Sequence, residues 1–406
     1  MKRDIPIKNT HAAGKSKKGA TIFFRKEIMA VRKTKYFNKL EQVRNLTDDE
    51  KNRLKKVTDK FAFRCNDYYL SLINWSDPLD PVRRIIIPSI EELGQWGRLD
   101  PSNEENYTIV PGLEHKYHST ALLLVSNVCE GICRYCFRKR VFIQRQSEYL
   151  RDVSAAIEYI SEHHEITNVL LTGGDPLALS TEKLENIISR LRSIDHVQII
   201  RIGTKVPVFN PYRIIDDPQF LQLLSKYSTE EKRIYIMTHF AHPRELTDVA
   251  AKAADLLQKA GAITANQTPL IRGVNDIPEV LAELLRKLSC FGIAPYYIFQ
   301  CRPALGNLAY TIPIEQGYEI IEQAKSMVSG LAKRARFVMS HSSGKIEIVG
   351  KTKKRVYFKY HRAASDKDSG RFLVFKSNPK ACWFDEYDEI IRDYPVSLPY
   401  RYYGPE

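Results

Sequence analysis

No stretch of about 18 apolar residues occurs in the 406-residue chain, so no membrane-spanning helix is expected. The opening segment, Met1 to Lys18, is basic and polar and lacks the apolar core of a secretory signal, which points to a cytoplasmic protein. Cysteine is scarce, with seven in the whole chain. An odd number, clustered and without a secretory signal, argues against structural disulfides. A second, separated cysteine pair of the kind structural zinc uses is missing as well. There is no low-complexity tract, and no repeat beyond an alternation of strands and helices. The formal net charge is +14, yet no basic motif with interleaved aromatics marks an RNA-binding surface, so a nucleic-acid partner is not expected.

What is present is the composition of a soluble globular protein, 43% hydrophobic and 27% charged, with a length that suits one barrel plus extensions. Part of the positive excess lies in the first 36 residues, including Lys15, Lys17, Lys18, Arg25 and Lys26, and residues 1–37 read as a solvated, flexible basic arm. Positive charge elsewhere suits small anionic ligands. Residues 38–115 read as a helical region: Lys39 to Arg64 carries apolar residues on a helical period, Pro78, Pro81 and Pro88 mark turns, and Glu91 to Trp96 reads as a short helix.

From Thr120 the pattern changes. Thr120–Ser126 is a short apolar run of the kind a buried parallel strand shows. Similar runs follow at Asn168–Thr172, Gln198–Gly203, Ile234–Thr238, Ile263–Gln267 and Pro295–Gln300, with Arg336–Ser340 as a further candidate. Helical stretches at about 150–164, 181–194, 217–227, 244–260, 277–289 and 315–330 separate them. Six βα units predict an α/β fold with a parallel sheet over residues 116–350, open or closed, and a C-terminal extension over 351–406 that reads as a cap or an interface. Polar residues stand at successive strand ends: a cysteine cluster, Gly173-Gly174-Asp175, Thr204-Lys205, His239, Gln267, and Gln300-Cys301-Arg302. In such folds functional residues gather at the carboxyl ends of the strands, so these residues should share one mouth.

The most informative motif is Cys129, Cys133 and Cys136, spaced C-x3-C-x2-C. Three thiolates so placed can each hold one iron of a 4Fe-4S cluster and leave the fourth iron open for chemistry. Cys65, Cys290, Cys301 and Cys382 read by default as small buried hydrophobes.

With Tyr135 directly before the last cysteine, the motif resembles the signature of the radical S-adenosylmethionine (SAM) superfamily. That resemblance implies a (β/α)6 partial barrel, SAM chelated to the open iron, and cleavage of SAM to a 5′-deoxyadenosyl radical. Gly173, Gly174 and Asp175 match the glycine-rich motif that holds the SAM amino group; Asp175 stands where many members carry Glu. His239 and Gln300 join them as cofactor-binding candidates at neighbouring strand ends.

Several further blocks resemble lysine 2,3-aminomutase and its relatives: Asp67 to Ile73, Leu170 to Leu177, Arg201 to Pro207, Thr238 to Pro243, Asn266 to Asp276, and Pro295 to Gly306. This resemblance implies an isomerase that moves an amino group from C2 to C3 of a small-molecule L-amino acid. It also implies pyridoxal 5′-phosphate (PLP) as a second cofactor and an external electron donor of the flavodoxin or ferredoxin type. Lys345 matches the lysine that forms the Schiff base with PLP, in a turn after the last barrel strand. Gln267 matches a residue near PLP. Lys116 stands where the family has one phosphate-binding arginine, and Thr120 where it has another, so phosphate binding must differ here.

Arg138 matches the arginine that grips the substrate α-carboxylate, with Arg134 and Arg140 as solvated or phosphate-facing alternatives. The lysine-specific enzymes hold the substrate ε-ammonium with two aspartates, and the matching positions here are Arg302 and Ser340. A cation facing a cation in a dry pocket is unfavourable, whereas Arg302 suits a side-chain carboxylate. An acidic amino acid such as glutamate is the resulting hypothesis, with lysine or a larger substrate left open. The C-terminal cysteine cluster that binds zinc between lysine-enzyme subunits is not matched, since only Cys382 follows the barrel. Any homo-oligomer would form without that zinc. A radical SAM enzyme of the same fold that acts on a protein or peptide side chain is the alternative that stays open on sequence alone.

Overall fold

The computed structural model describes residues 32–143 and 148–395. The described residues from Lys33 onward belong to one compact unit. Most of the predicted flexible arm therefore lies outside the described residues. Its last residues do not hang free: β1 (Tyr36–Phe37) pairs antiparallel with β2 (Cys65–Asn66).

The remaining strands form one thirteen-stranded sheet whose spatial order follows the sequence: β3 (Thr108–Val110), β4 (Leu113–Tyr117), β5 (Thr120–Ser126), β6 (Asn168–Gly173), β7 (Ile199–Gly203), β8 (Ile234–Thr238), β9 (Ile263–Leu270), β10 (Ala294–Gln300), β11 (Arg336–His341), β12 (Gly344–Lys351), β13 (Arg355–Ala363), β14 (Phe372–Lys376) and β15 (Ile390–Tyr394). Strands β5 to β11 run parallel, and the strands outside them pair antiparallel.

Parallel neighbours need crossovers, and helices Ser154–Glu162, Thr181–Arg192, Pro218–Tyr227, Asp248–Lys259, Pro278–Cys290 and Ile314–Ser326 provide them. Several start on a capping side chain: Ser180 accepts from the Lys183 N–H, Asp217 from Phe220 and Thr247 from Ala250. Each lays an apolar stripe on the sheet, as Leu184, Ile187, Ile188 and Leu191 do.

Strand alternation then sorts the side chains. Leu123, Val169, Leu171, Ile200 and Ile202 go to the core under the helices. Their neighbours Leu122, Leu170, Thr172, Arg201 and Gly203 point the other way, into an interior cavity. The sheet does not close into a barrel by backbone pairing. Side chains bridge the seam instead: Lys116 Nζ donates to the His341 carbonyl at 2.6 Å, Arg362 to Thr120 Oγ1 at 3.1 Å, and Tyr107 Oη to the Ser342 carbonyl at 2.8 Å.

The expected helices need correction. Lys39 to Arg64 is α-helical only over Asp48–Thr58, where Thr47 builds a capping box with Glu50, and adds a 3₁₀ turn at Leu40–Gln42. Helices Asp67–Leu70 and Pro81–Ile86 are short, Glu91 to Trp96 contributes only a 3₁₀ turn at Ile90–Leu93, and β3 and β4 already belong to the sheet. The C-terminal extension contributes β13 to β15, which continue the sheet, with Val356, Phe358 and Tyr360 turned inward. Among the spare cysteines, Cys65 and Cys301 are buried, Cys382 is half-buried and Cys290 is exposed at a helix end.

Candidate active site

The carboxyl ends of the parallel strands open on a cavity of about 330 Å³. Every predicted site residue lines it: Cys129, Cys133, Cys136, Gly173, Gly174, Asp175, His239, Gln267, Gln300, Lys116, Lys345, Arg138, Arg302 and Ser340. The strand-end spacing in sequence is what gathers them.

At one end the cysteine loop follows β5. Its backbone is tied down from below, with Arg64 Nε on the Cys129 carbonyl at 2.8 Å and the Ile132 N–H on the Arg64 carbonyl at 2.9 Å. The Gly173-Gly174 turn zips onto it: the Gly174 N–H meets the Ser126 carbonyl at 2.6 Å and the Asp175 N–H meets Val128 at 2.7 Å. A Cβ at Gly173 (φ +121°) would sit 2.3 Å from the Ser126 carbonyl oxygen, and one at Gly174 2.5 Å from that of Val128. Glycine is thus required for the close approach.

The three thiols are free, and burial pushes all of them up, Cys133 to about 12. They would release protons on taking up iron. The buried Tyr135 hydroxyl has no oxygen or nitrogen partner among the described residues, and it lies beside Cys133, whose thiolate it favours. Among the described residues no three His, Cys, Asp or Glu side chains converge on a single metal ion. A 4Fe-4S cluster spreads its thiolates over separate irons, so the donor set and its spacing fit the cluster.

Asp175 does not offer a free carboxylate. Its oxygens accept from Thr204 Oγ1 at 2.7 Å and from the backbone N–H groups of Lys205 at 2.7 Å and Leu177 at 3.0 Å, and burial raises it to about 6. It locks the glycine turn to the end of β7. Burial and the Lys205 cation push His239 down to about 3, so this imidazole is neutral. Gln300 gives its amide N–H groups to the carbonyls of Ile312 at 2.6 Å and Cys382 at 3.0 Å, and its Oε1 has no partner among the described residues.

Lys345 sits not in the hairpin turn but on β12, opposite Ser340 of β11 and Arg362 of β13. Its amine lies 4.5 Å from the centroid of the Tyr297 ring. Burial first, then Arg201, Arg362, Arg302 and Lys116, hold it well below the usual lysine range. The burial and the neighbouring cations favour the neutral, nucleophilic form of the amine. Arg201 donates to Asn168 Oδ1 at 2.8 Å and Arg362 to Thr120 Oγ1; among the described residues neither has a carboxylate partner. An amine biased toward its neutral form, beside two guanidinium groups without an anionic partner among the described residues, fits an aldehyde carrying a phosphate, which is PLP.

The third part of the cavity surrounds Glu104. Arg138 forks onto its carboxylate at 3.1 and 3.2 Å and also reaches Thr172 Oγ1 at 3.0 Å. Arg140 meets Glu104 at 2.6 Å and Arg302 approaches to 3.6 Å. Arg302 also holds Ser102 Oγ at 2.9 Å and stacks on Phe137 at 3.6 Å. These arginines keep Glu104 well below the usual carboxylate range despite its burial. Glu114, 4.0 Å from Arg138, goes the other way: burial and then Glu104 raise it to about 8.

Arg140 turns away from the cavity toward Glu148 and Asp100, at 2.8 and 3.6 Å. Arg134 is neither solvated nor phosphate-facing, because it is fully buried on Glu92 at 2.8 Å. Sequence reasoning missed Glu104, Glu114, Arg201 and Arg362. Only Arg201 carried a signal, as the inward-facing position of a strand inside a recognised block.

The sequence profile of the radical SAM superfamily matches residues 123–285, which span the cysteine loop and the glycine turn. Fold and site together define a radical SAM enzyme. A protein of Aquifex aeolicus described as a putative L-lysine 2,3-aminomutase is 54% identical over 368 residues, 90% of this chain and 98% of the relative. The L-lysine 2,3-aminomutase of Clostridium subterminale is 40% identical over 288 residues, 70% of this chain and 68% of its own. The glutamate 2,3-aminomutase of Clostridioides difficile is 37% identical over 296 residues, 72% and 68%. The chain belongs to the lysine 2,3-aminomutase family. It is an isomerase of the 2,3-aminomutase type, and its cofactors are those of the family: a 4Fe-4S cluster, SAM and PLP.

Proposed function

We propose that this aminomutase acts on a dicarboxylic amino acid such as glutamate, moving its amino group from C2 to C3. The observation that carries this is the charge of the cavity wall. Lys116, Arg138, Arg201, Arg302 and Arg362 face the interior beside Glu104 and Glu114, the latter raised to about 8, while Lys205 and Asp175 on the same wall are committed to Glu245 and Thr204. A PLP phosphate brings roughly two negative charges and an α-carboxylate one. A side-chain carboxylate balances what is left. An ε-ammonium would add positive charge where none is compensated. The names of the relatives include both lysine and glutamate enzymes, and the cavity residues are what favours the acidic substrate.

The bound cluster and SAM supply the hydrogen-abstracting radical, and PLP supplies the conjugated system that lets the nitrogen migrate. The chain does the rest. Cys129, Cys133 and Cys136 would hold three irons and leave one open. Gly173 and Gly174 keep their backbone close against the cysteine loop, and His239 and Gln300 Oε1, the latter without a partner among the described residues, offer neutral acceptors for cofactor donors. Lys345 is the amine that would carry PLP, with Gln267 lining the same cavity. Arg138 takes the α-carboxylate as Glu104 yields it, and Arg302 with Ser340 takes the side-chain carboxylate. Apolar walls such as Leu122, Leu170, Met237 and Phe299 keep water from the radical. An external donor of the flavodoxin or ferredoxin type reduces the cluster, in the cytoplasm.

Anaerobically reconstituted enzyme assayed against glutamate and lysine tests this. β-Glutamate should form at the higher kcat/KM. β-Lysine formed at the higher kcat/KM would refute the acidic substrate and leave the aminomutase standing.

A further inference from the structure

Thr120 faces the cavity from β5 and brings no charge, so the cofactor phosphate needs a cation from elsewhere. We propose that Arg362, reaching in from β13, is the guanidinium that anchors the PLP phosphate, with Arg201 of β7 as its partner. The inference rests on the reading that Lys345 carries PLP.

Register places Arg362 first. It is the direct cross-strand partner of Lys345, so both side chains leave the same face of the sheet. Its guanidinium crosses the open seam and donates to Thr120 Oγ1 at 3.1 Å and Ser119 Oγ at 3.4 Å. The head group therefore lies at the tip of the very threonine that lacks a charge. The small threonine leaves space that an arginine at 120 would fill. The Tyr117 ring, 4.4 Å away, fixes the plane of the guanidinium and leaves its remaining N–H groups free to fork onto a ligand.

Electrostatics makes the same point. Arg201 and Arg362 repel each other, and both press on the Lys345 amine. Their acceptors on the protein are neutral oxygens of Asn168, Ser119 and Thr120. Two half-buried guanidinium groups facing one cavity, with no acid on either among the described residues, are better satisfied when an anion arrives. A phosphate set between them meets both and lies beside the Lys345 amine, the cross-strand neighbour of Arg362. It also gives β12 and β13 a purpose: the strands added after the parallel sheet carry both the lysine and its phosphate anchor.

The test compares PLP with pyridoxal, which lacks the phosphate, by absorbance titration of PLP-stripped, cluster-loaded enzyme. Wild type should bind PLP more tightly than pyridoxal. Arg362→Gln should lose about 10- to 100-fold in PLP affinity, the range of a charge-assisted hydrogen bond, and keep its pyridoxal affinity. Adding Thr120→Arg to that variant should restore the preference for PLP. Arg362→Lys, which keeps charge but not the fork, should lie between and covers a glutamine variant that does not fold. An unchanged PLP-to-pyridoxal ratio in Arg362→Gln, or equal loss of both ligands, would overturn the proposal. Failure of wild type to form any pyridoxal adduct on Lys345 would instead overturn the PLP assignment beneath it.

Discussion

Two ends of one cavity treat positive charge in opposite ways. Around Lys345, Arg201 and Arg362 stand without an acid among the described residues, and burial and these cations push the lysine toward its neutral form. Around Arg138 and Arg302 the guanidinium groups already share Glu104, with the neutral Glu114 in reserve. The difference matches two kinds of guest. A resident cofactor needs to be installed once, so its site can stay unsatisfied until then. A substrate comes and goes with every turnover, and an internal carboxylate can hold the arginines in place between visits. A buried guanidinium left bare at each release would be costly.

The sharpest way to separate the ends is to remove the amine. Lys345→Ala should abolish amino transfer and borohydride-trapped pyridoxal, while the iron content stays intact. Residual turnover near wild type would break the assignment of that end.

Next comes the placeholder. Glu104→Gln leaves Arg138, Arg140 and Arg302 facing each other, and should cost about 3–5 kcal/mol of stability, with part of it regained in saturating glutamate. The same thermal scan on PLP-free Arg362→Gln should show a change within about 1 kcal/mol, because that cation has no acid to lose. Equal losses in the two variants would erase the contrast.

Specificity should move next. Arg302→Asp combined with Ser340→Asp should lower kcat/KM for glutamate by about 100-fold or more and raise it for lysine, since one buried charge partner is reversed. The smallest effect is the pH response of Glu114. It is neutral below about 8 and ionises above, so it competes with the substrate carboxylate only at high pH. KM should rise up to about tenfold as pH climbs through 8, with kcat steady, and Glu114→Gln should flatten the rise.

How the two ends were written in the sequence differs as well. The parallel strands and their helices were legible because each carries a strong period: Thr120–Ser126 and Ile234–Thr238 were read to the residue. The cysteine loop, the glycine turn and Lys345 were legible through spacing and neighbouring blocks. Glu104 was not, because it sits in a 3₁₀ turn after Asn103 in a left-handed conformation, where no period exists. Arg362 was not, because only the curl of the sheet brings β13 across to β5. Asp175 was legible as a position but not as a role: its carboxylate is spent on Thr204 and the backbone, which needs the fold to be seen.

The division between the ends can be measured directly in a crystal structure of the anaerobic holoenzyme with PLP, SAM and glutamate. The phosphate is expected within charge-assisted hydrogen-bond distance, about 2.7–2.9 Å, of Arg201 and Arg362, with the substrate α-carboxylate on Arg138 and Glu104 drawn aside. A phosphate seated on Arg138 and Arg302 instead, with Arg362 left on Thr120 alone, would contradict it.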